Sequence, residues 1–260
     1  MNLDQVFLAM LTALQKASRK VYEISKRSFT IEIKEDQSPV TEADFASNQI
    51  IKNELKCFPI AWLSEEDSDS LSRLEEEYVF VVDPLDGTED FVKRDGSYGI
   101  NLALVKDHRV IIGMVACPER NLLCYARENQ GTILRYGDGR EERIHVSTRK
   151  DHLRAFVSKT HFDQREEEAL NRHKDLIEEV IPLGACNKAL ELARGNGEIC
   201  LRYTDKTKEW DVCAPDIIVR EAGGIFVDTL GKPFVYNRKD VYNRNGYFMA
   251  NCVENERIFL

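Results

Sequence analysis

The chain has 260 residues, 43% of them hydrophobic, which is enough for one large domain or two small ones around a real core. Its formal net charge of −9 argues against a nucleic-acid polymer or an anionic membrane surface as partner, since both need basic surface. The charged fraction is 31% with no long polar tract, so no large disordered region is expected. The seven cysteines, without a Cys-x-x-Cys pair, read as buried thiols of a reducing compartment. No stretch approaches the roughly 20 apolar residues of a membrane span, so the cytoplasm is the expected location.

Residues 2 to about 28 read as one amphipathic helix, because Val6, Met10, Leu14, Ala17, Val21 and Ile24 recur at three-four spacing. Asp4 precedes the apolar run and no small-residue cleavage site follows it, so it does not read as a signal peptide. Phe29 to Ile33 alternates like a strand, and Lys34 to Pro39 reads as a loop. Thr41 is a plausible N-cap of a second helix running to about Cys57, with Asp44 at the capping-box position. Ala61 to Ser64 reads as a short strand ending at Glu65, and the acidic run from Glu65 to Glu77 reads as a solvated face, Glu65 excepted.

Val79-Phe80-Val81-Val82 is an apolar run that reads as a buried strand. It ends in Asp83-Pro84-Leu85-Asp86-Gly87, where Pro84 interrupts ladder pairing and Gly87 permits a sharp turn. Thr88-Glu89-Asp90 then opens a short helix. Carboxylates at a strand end before a helix N-terminus can hold a divalent cation and a phosphate side by side. Tyr98 to Lys106 and Arg109 to Cys117 form a hairpin, followed by strands at Leu122 to Glu128 and Gly131 to Arg135. A lobe boundary is placed near 137–147, dividing residues 1–142 from 143–260. Beyond it strands and helices alternate: Ala155 to Ser158, a helix from Gln164 to His173, Val180 to Pro182, a helix from Asn187 to Gly195, and Ile199 to Tyr203. A helix beginning at Trp210-Asp211 stops at Gly223-Gly224, and strands follow at Ile225 to Asp228 and Tyr247 to Asn251.

Several chemistries fail on spacing. A calcium hand loop needs a Glu eleven residues after Asp83, where Arg94 stands. An Asp-x-Asp phosphotransfer pair has a gap of two, and here it is three. No P-loop is present, Gly195-Asn196-Gly197 lacks the third glycine of a dinucleotide fingerprint, and the five histidines show no zinc spacing. Hard-oxygen chemistry with Mg²⁺ remains the best fit.

Asp83-Pro84-Leu85-Asp86-Gly87-Thr88, with Trp210-Asp211 leading to Glu221-Ala222-Gly223-Gly224, resembles the paired signatures of the inositol monophosphatase superfamily. Leu63-Ser64-Glu65-Glu66 and the segment Ser38 to Asp44 match in order, and the resemblance covers about residues 5 to 252. It implies a lithium-sensitive, Mg²⁺-dependent phosphatase with an α+β fold, a layered αβαβα sandwich. Its N-terminal lobe would be a mostly antiparallel sheet and its C-terminal lobe α/β. Glu65, Asp83 and the Leu85 carbonyl would hold one Mg²⁺, and Asp83, Asp86 and Asp211 a second. Asp44 would sit near a third metal or the attacking water, for two or three ions in all. Thr88, with Asp44 as partner, would orient or deprotonate that water, and Gly87 and Thr88 would meet the phosphate.

Inositol phosphatases carry a substrate-binding Glu seven residues before the last metal Asp, and here Thr204 stands there. Gly184 with Lys188 four residues on, and Asp211 twenty-three residues after Lys188, instead resemble the 3'(2'),5'-bisphosphate nucleotidases, including the bacterial CysQ type. Ser158-Lys159-Thr160-His161 resembles that family's nucleotide-contacting loop. The implied reaction is hydrolysis of adenosine 3',5'-bisphosphate to AMP by metal-activated water, in sulfur metabolism. A small phosphorylated nucleotide would be the partner, and the protein a monomer or homodimer. The competing readings are an inositol 1-phosphate or fructose 1,6-bisphosphate phosphatase, and a non-catalytic phosphate-binding regulator.

Overall fold

A computed structural model describes residues 1–34 and 37–260. Helix α1 (Leu3–Ser25) starts at Asn2, whose side chain accepts hydrogen bonds from the Asp4 and Gln5 N–H groups. Its stripe from Val6 to Ile24 is buried, as the spacing predicts. Strands β1 (Ile31–Ile33) and β2 (Pro39–Thr41) pair antiparallel, so the expected loop from Lys34 to Pro39 ends in a strand; its Glu35 and Asp36 lie outside the described residues. Helix α2 (Glu42–Leu55) carries the Thr41–Asp44 capping box.

A seven-stranded sheet follows in sequential order. Its strands are β3 (Ala61–Ser64), β4 (Tyr78–Asp86), β5 (Gly99–Lys106), β6 (Arg109–Cys117), β7 (Leu122–Arg127), β8 (Gly131–Tyr136) and β9 (Glu141–Ile144). Helix α3 (Thr88–Lys93) lies between β4 and β5. Within this sheet β3 and β4 pair parallel and the other neighbours antiparallel. Strand β9 was not expected; three of its four residues are exposed and it carries no apolar alternation.

The second sheet has the order β11-β10-β12-β14-β13. Its strands β10 (Leu153–Ser158), β11 (Ile177–Leu183), β12 (Ile199–Arg202), β13 (Ile225–Val227) and β14 (Tyr247–Ala250) are interleaved with helices. These are α4 (Gln164–Arg172), α5 (Asn187–Ala193), α6 (Glu209–Glu221) and α7 (Val253–Phe259). The last of these was not expected.

Three apolar clusters stack these elements into five layers. Phe80, Val82, Ile100 and Leu102 pack with α1 and α2 on one face of the first sheet. Val79, Val81, Ala103 and Val115 face the other way, onto α5 and α6. A strand buried on both faces reads as a continuous apolar run, which is why β4 stands out in the sequence. Helices α5 and α6 are also covered by Phe156, Cys200 and Met249 of the second sheet. The far face of that sheet packs α4 and α7 through Leu153, Ala155, Leu170 and Phe259. The architecture is therefore the expected αβαβα sandwich. Gly113 on β6 lets α6 approach, since a Cβ there would lie 2.9 Å from the Ala214 carbonyl oxygen. Five cysteines are buried as expected, but Cys57 is exposed and Cys252 half-buried. Both sit in connections beside helix ends, Cys57 just after α2 and Cys252 just before α7.

Candidate active site

The β4–β5 ladder pairs Asp83 with Asn101 and then jumps to Asp86 with Gly99. Three steps on β4 face two on β5, which makes a bulge. Pro84 has no N–H to donate to the ladder, and the Leu85 N–H turns inward to Asp83 Oδ1 at 3.1 Å. The bulge re-aims Asp83 and Asp86 toward the end of the sheet. Gly87 then takes φ +85°, and a Cβ there would lie 3.0 Å from Ala185 Cβ, so both conformation and space require glycine.

Thr88 Oγ1 lies 3.1 Å from Asp44 Oδ1 and 3.1 Å from the Leu85 carbonyl oxygen, either of which can accept its proton. Asp44 Oδ2 meanwhile accepts from the Thr41 N–H at 2.8 Å and the Thr41 hydroxyl at 2.6 Å. Capping and site geometry thus use opposite oxygens of one carboxylate. Burial pushes the Asp44 carboxyl up, and these hydrogen bonds pull it back.

Glu65, Asp83, Asp86 and Asp211 line one cleft of about 260 Å³, together with Leu85, Gly87 and Thr88. Glu65 is placed by its N–H, which bonds to the Val82 carbonyl oxygen at 3.2 Å. Asp211 comes from the first turn of α6, where the Lys208 N–H donates to its Oδ2 at 2.7 Å. Pro215 four residues on leaves the Asp211 carbonyl without an intrahelical donor. Burial, and then the charges of Glu65, Asp86 and Asp211, hold the Asp83 carboxyl well above the usual range. Asp211 is likewise raised by burial and then by Asp86 and Glu65. Asp86 is raised by burial, but Lys188 and the Asn101 side chain, 3.2 Å away, oppose the shift.

Oxygen donors that repel one another are the donor set a hard divalent cation relieves, so the chemistry of the residues fits such an ion. Among the described residues, no three His, Cys, Asp or Glu side chains stand grouped so as to hold a metal as they are. The expected ligands ring the cleft; they do not converge on one point.

Lys188 on α5 lines the same cleft although it is largely buried. Its Nζ donates to the Ala185 carbonyl at 2.7 Å and to that of Leu183 at 3.4 Å. Thr160 and His161 form another part of the rim. The His161 ring is 64% exposed, with Nε2 4.0 Å from Glu89 Oε1. Gly184 does not line the cleft. It is walled in by Asp90 and Ser97, with its would-be Cβ only 2.4 Å from Asp90 Oδ2.

Other residues of the site escaped the sequence reading. Arg202, at the end of β12, is 5% exposed and lines the cleft. Its Nη1 donates to Glu166 Oε2 at 2.7 Å and to the His161 carbonyl oxygen at 2.8 Å. An arginine closing the apolar run Ile199-Cys200-Leu201 was the available signal. The acidic run after Glu65 is not all solvated: the Glu66 side chain is 4% exposed, and burial pushes its carboxyl up to about 7 despite Lys34 at 2.7 Å. Arg73 in the same run is buried between Asp69 and Asn237.

Residues 2–257 match the family model of the inositol monophosphatase family. The 3'(2'),5'-bisphosphate nucleotidase CysQ of Escherichia coli is 30% identical over 89% of this chain and 92% of its own length. The protein of the same name from Aggregatibacter actinomycetemcomitans is 29% identical over 91% of this chain and 89% of its own. The crystal structure of CysQ from Bacteroides thetaiotaomicron superposes with a TM-score of 0.83 at 27% identity, covering 94% of this chain and 97% of that one. The Thermotoga maritima IMPase shares the fold, with a TM-score of 0.81 at 23% identity. With signatures, five-layer fold and family match in agreement over nearly its whole length, the chain belongs to the inositol monophosphatase family.

Proposed function

We propose that this protein is a Mg²⁺-dependent phosphatase that removes the 3'-phosphate of adenosine 3',5'-bisphosphate, giving AMP and phosphate within sulfur metabolism. The observation that carries the reading is Lys188, a largely buried cation in the cleft of the four carboxylates. A bisphosphate places one phosphate among the carboxylates and needs a cation for the other. The CysQ relatives are 3'(2'),5'-bisphosphate nucleotidases, which supports a nucleoside bisphosphate as substrate.

Glu65, Asp83, the Leu85 carbonyl, Asp86 and Asp211 would hold the metal. Bound there, Mg²⁺ supplies positive charge that offsets the carboxylates and the phosphate, and acidifies water. The Thr88 hydroxyl orients the attacking water and passes a proton toward Asp44 Oδ1. The Gly87 and Thr88 N–H groups meet the phosphate oxygens. Lys188 receives the second phosphate, with Thr160 and His161 bordering the nucleoside. Positioned charge does most of the work in such a site, so no strong protein base is needed.

The test is phosphate release with Mg²⁺ from adenosine 3',5'-bisphosphate, its 3'-phosphosulfate analogue, inositol 1-phosphate and fructose 1,6-bisphosphate. A tenfold preference for the nucleotide, roughly 1.4 kcal/mol, is expected. A tenfold preference for inositol 1-phosphate would overturn the assignment.

A further inference from the structure

Asp90 has no role in the scheme above, yet it is a buried carboxylate of the cleft wall. It is 3% exposed and lines the cleft. Its Oδ1 is buried and accepts no hydrogen bond among the described residues. It forms no ion pair there either: of the nearby lysines, Lys93 bonds Glu89 at 3.3 Å and Lys159 bonds Asp95 at 2.8 Å. It does not cap its helix, because α3 has no side-chain cap. An orphaned buried acceptor is destabilising, and more so when charged. Gly184 makes room for it, since a Cβ there would stand 2.4 Å from Asp90 Oδ2. The fold thus leaves space for a carboxylate whose Oδ1 has no hydrogen-bond donor among the described residues.

Its place says what would satisfy it. Asp90 lies three residues after Gly87 and two after Thr88 on α3, and all three line the cleft. An anion next to a phosphate repels it, so the group facing Asp90 must be a donor. The donor closest to a sugar phosphate ester is the hydroxyl on the adjacent carbon. Resting on the nucleotide reading above, we propose that Asp90 is a specificity-determining residue whose carboxylate accepts a hydrogen bond from the ribose hydroxyl vicinal to the scissile phosphate. Gly184 then acts through Asp90, as the position that must stay without a side chain.

The test compares adenosine 3',5'-bisphosphate with its 2'-deoxy analogue, in Mg²⁺, on the wild type, Asp90→Ala and Asp90→Asn. A hydrogen bond to a charged acceptor predicts a wild-type kcat/KM about tenfold or more higher for the ribose substrate. The ratio should fall below about threefold in Asp90→Ala and be partly rescued in Asp90→Asn, which keeps an acceptor. Asp90→Ala should melt no lower than the wild type, since it removes a desolvated orphan. Equal wild-type turnover of both sugars would overturn the inference while leaving the nucleotide assignment standing. So would an Asp90→Ala that lowers both activities equally together with the melting temperature, since that marks a structural role. Turnover of neither nucleotide by the wild type would overturn the substrate assignment and this inference with it.

Discussion

Replacing Glu166 with glutamine tests whether stability and substrate binding share one buried ion pair. Glu166 on α4 is 1% exposed and its Oε2 receives Arg202 Nη1 at 2.7 Å. Its Oε1 accepts the Tyr203 N–H at 3.1 Å. The Arg202 guanidinium also holds the His161 carbonyl oxygen at 2.8 Å, so one pair ties β12, α4 and the cleft rim together. Burial pushes the Glu166 carboxyl up while Arg202 pulls the other way, so desolvation offsets much of the pair's attraction. Breaking such a pair is another matter. Glu166→Gln turns an amide donor toward a group that now donates to the carboxylate and leaves Arg202 buried without a counter-charge, at a cost of about 3–5 kcal/mol. At about 2–4 °C per kcal/mol for a chain of this size, the melting temperature should fall by on the order of 10 °C. Thermal melts give the first readout, and nucleotide KM, expected to rise several-fold as the His161 segment loosens, the second. The double variant Glu166→Leu with Arg202→Met should recover most of the stability but not the KM. A drop of less than about 2 °C in Glu166→Gln would refute the reasoning, because Arg202 would then be compensated from elsewhere.

Asp86→Asn keeps the shape of the side chain but removes a charge from the cleft; turnover should fall at least about 100-fold with the fold intact by circular dichroism, and retained activity would sink the metal-site assignment. Asp83, Asp86 and Asp211 are all raised, so the folded chain binds protons more tightly than the unfolded one. Metal-free stability should therefore be highest in mild acid and decline as pH rises from the ordinary carboxylate range through the raised values. Mg²⁺ at 100 times its Kd should restore about 2.7 kcal/mol at neutral pH, and a melting temperature indifferent to Mg²⁺ would contradict this. Glu198 carries the opposite sign, being lowered by its hydrogen bonds from Arg154 at 2.7 and 3.2 Å, which outweigh its burial. Its contribution is present above the ordinary carboxylate pKa of 4.5 and is lost as pH falls through the lowered value, so Glu198→Gln should flatten that acid limb of the stability curve. Gly184→Ala forces a Cβ to 2.9 Å from the Ser97 carbonyl oxygen and should cost about 1–3 kcal/mol in chemical denaturation, against no measurable change if the backbone yields freely.

Much of the protein was decided locally, and that part was legible in the residues. Periodicity marked α1 and the two-sided burial of β4, and the Thr41–Asp44 cap was visible at its own spacing. Pro84 and Gly87 announced the bulge and turn because missing donors and positive φ are properties of single residues. What lay far apart in the chain was not legible in this way. Arg202 enters the cleft only because β12 sits beside β10 and close to the end of α4. Glu66 and Arg73 look like solvated charges until Lys34 and Asn237 close over them. Asp90 reads as a favourable residue for a helix start, and only the packing of Gly184 against it shows a buried acceptor without a donor. Composition, spacing and local backbone chemistry thus determined the main elements and the carboxylate motif, and the resemblance to the family implied the layers. Burial and pairing of charges across the chain, which no local pattern encodes, were decided by the tertiary structure alone.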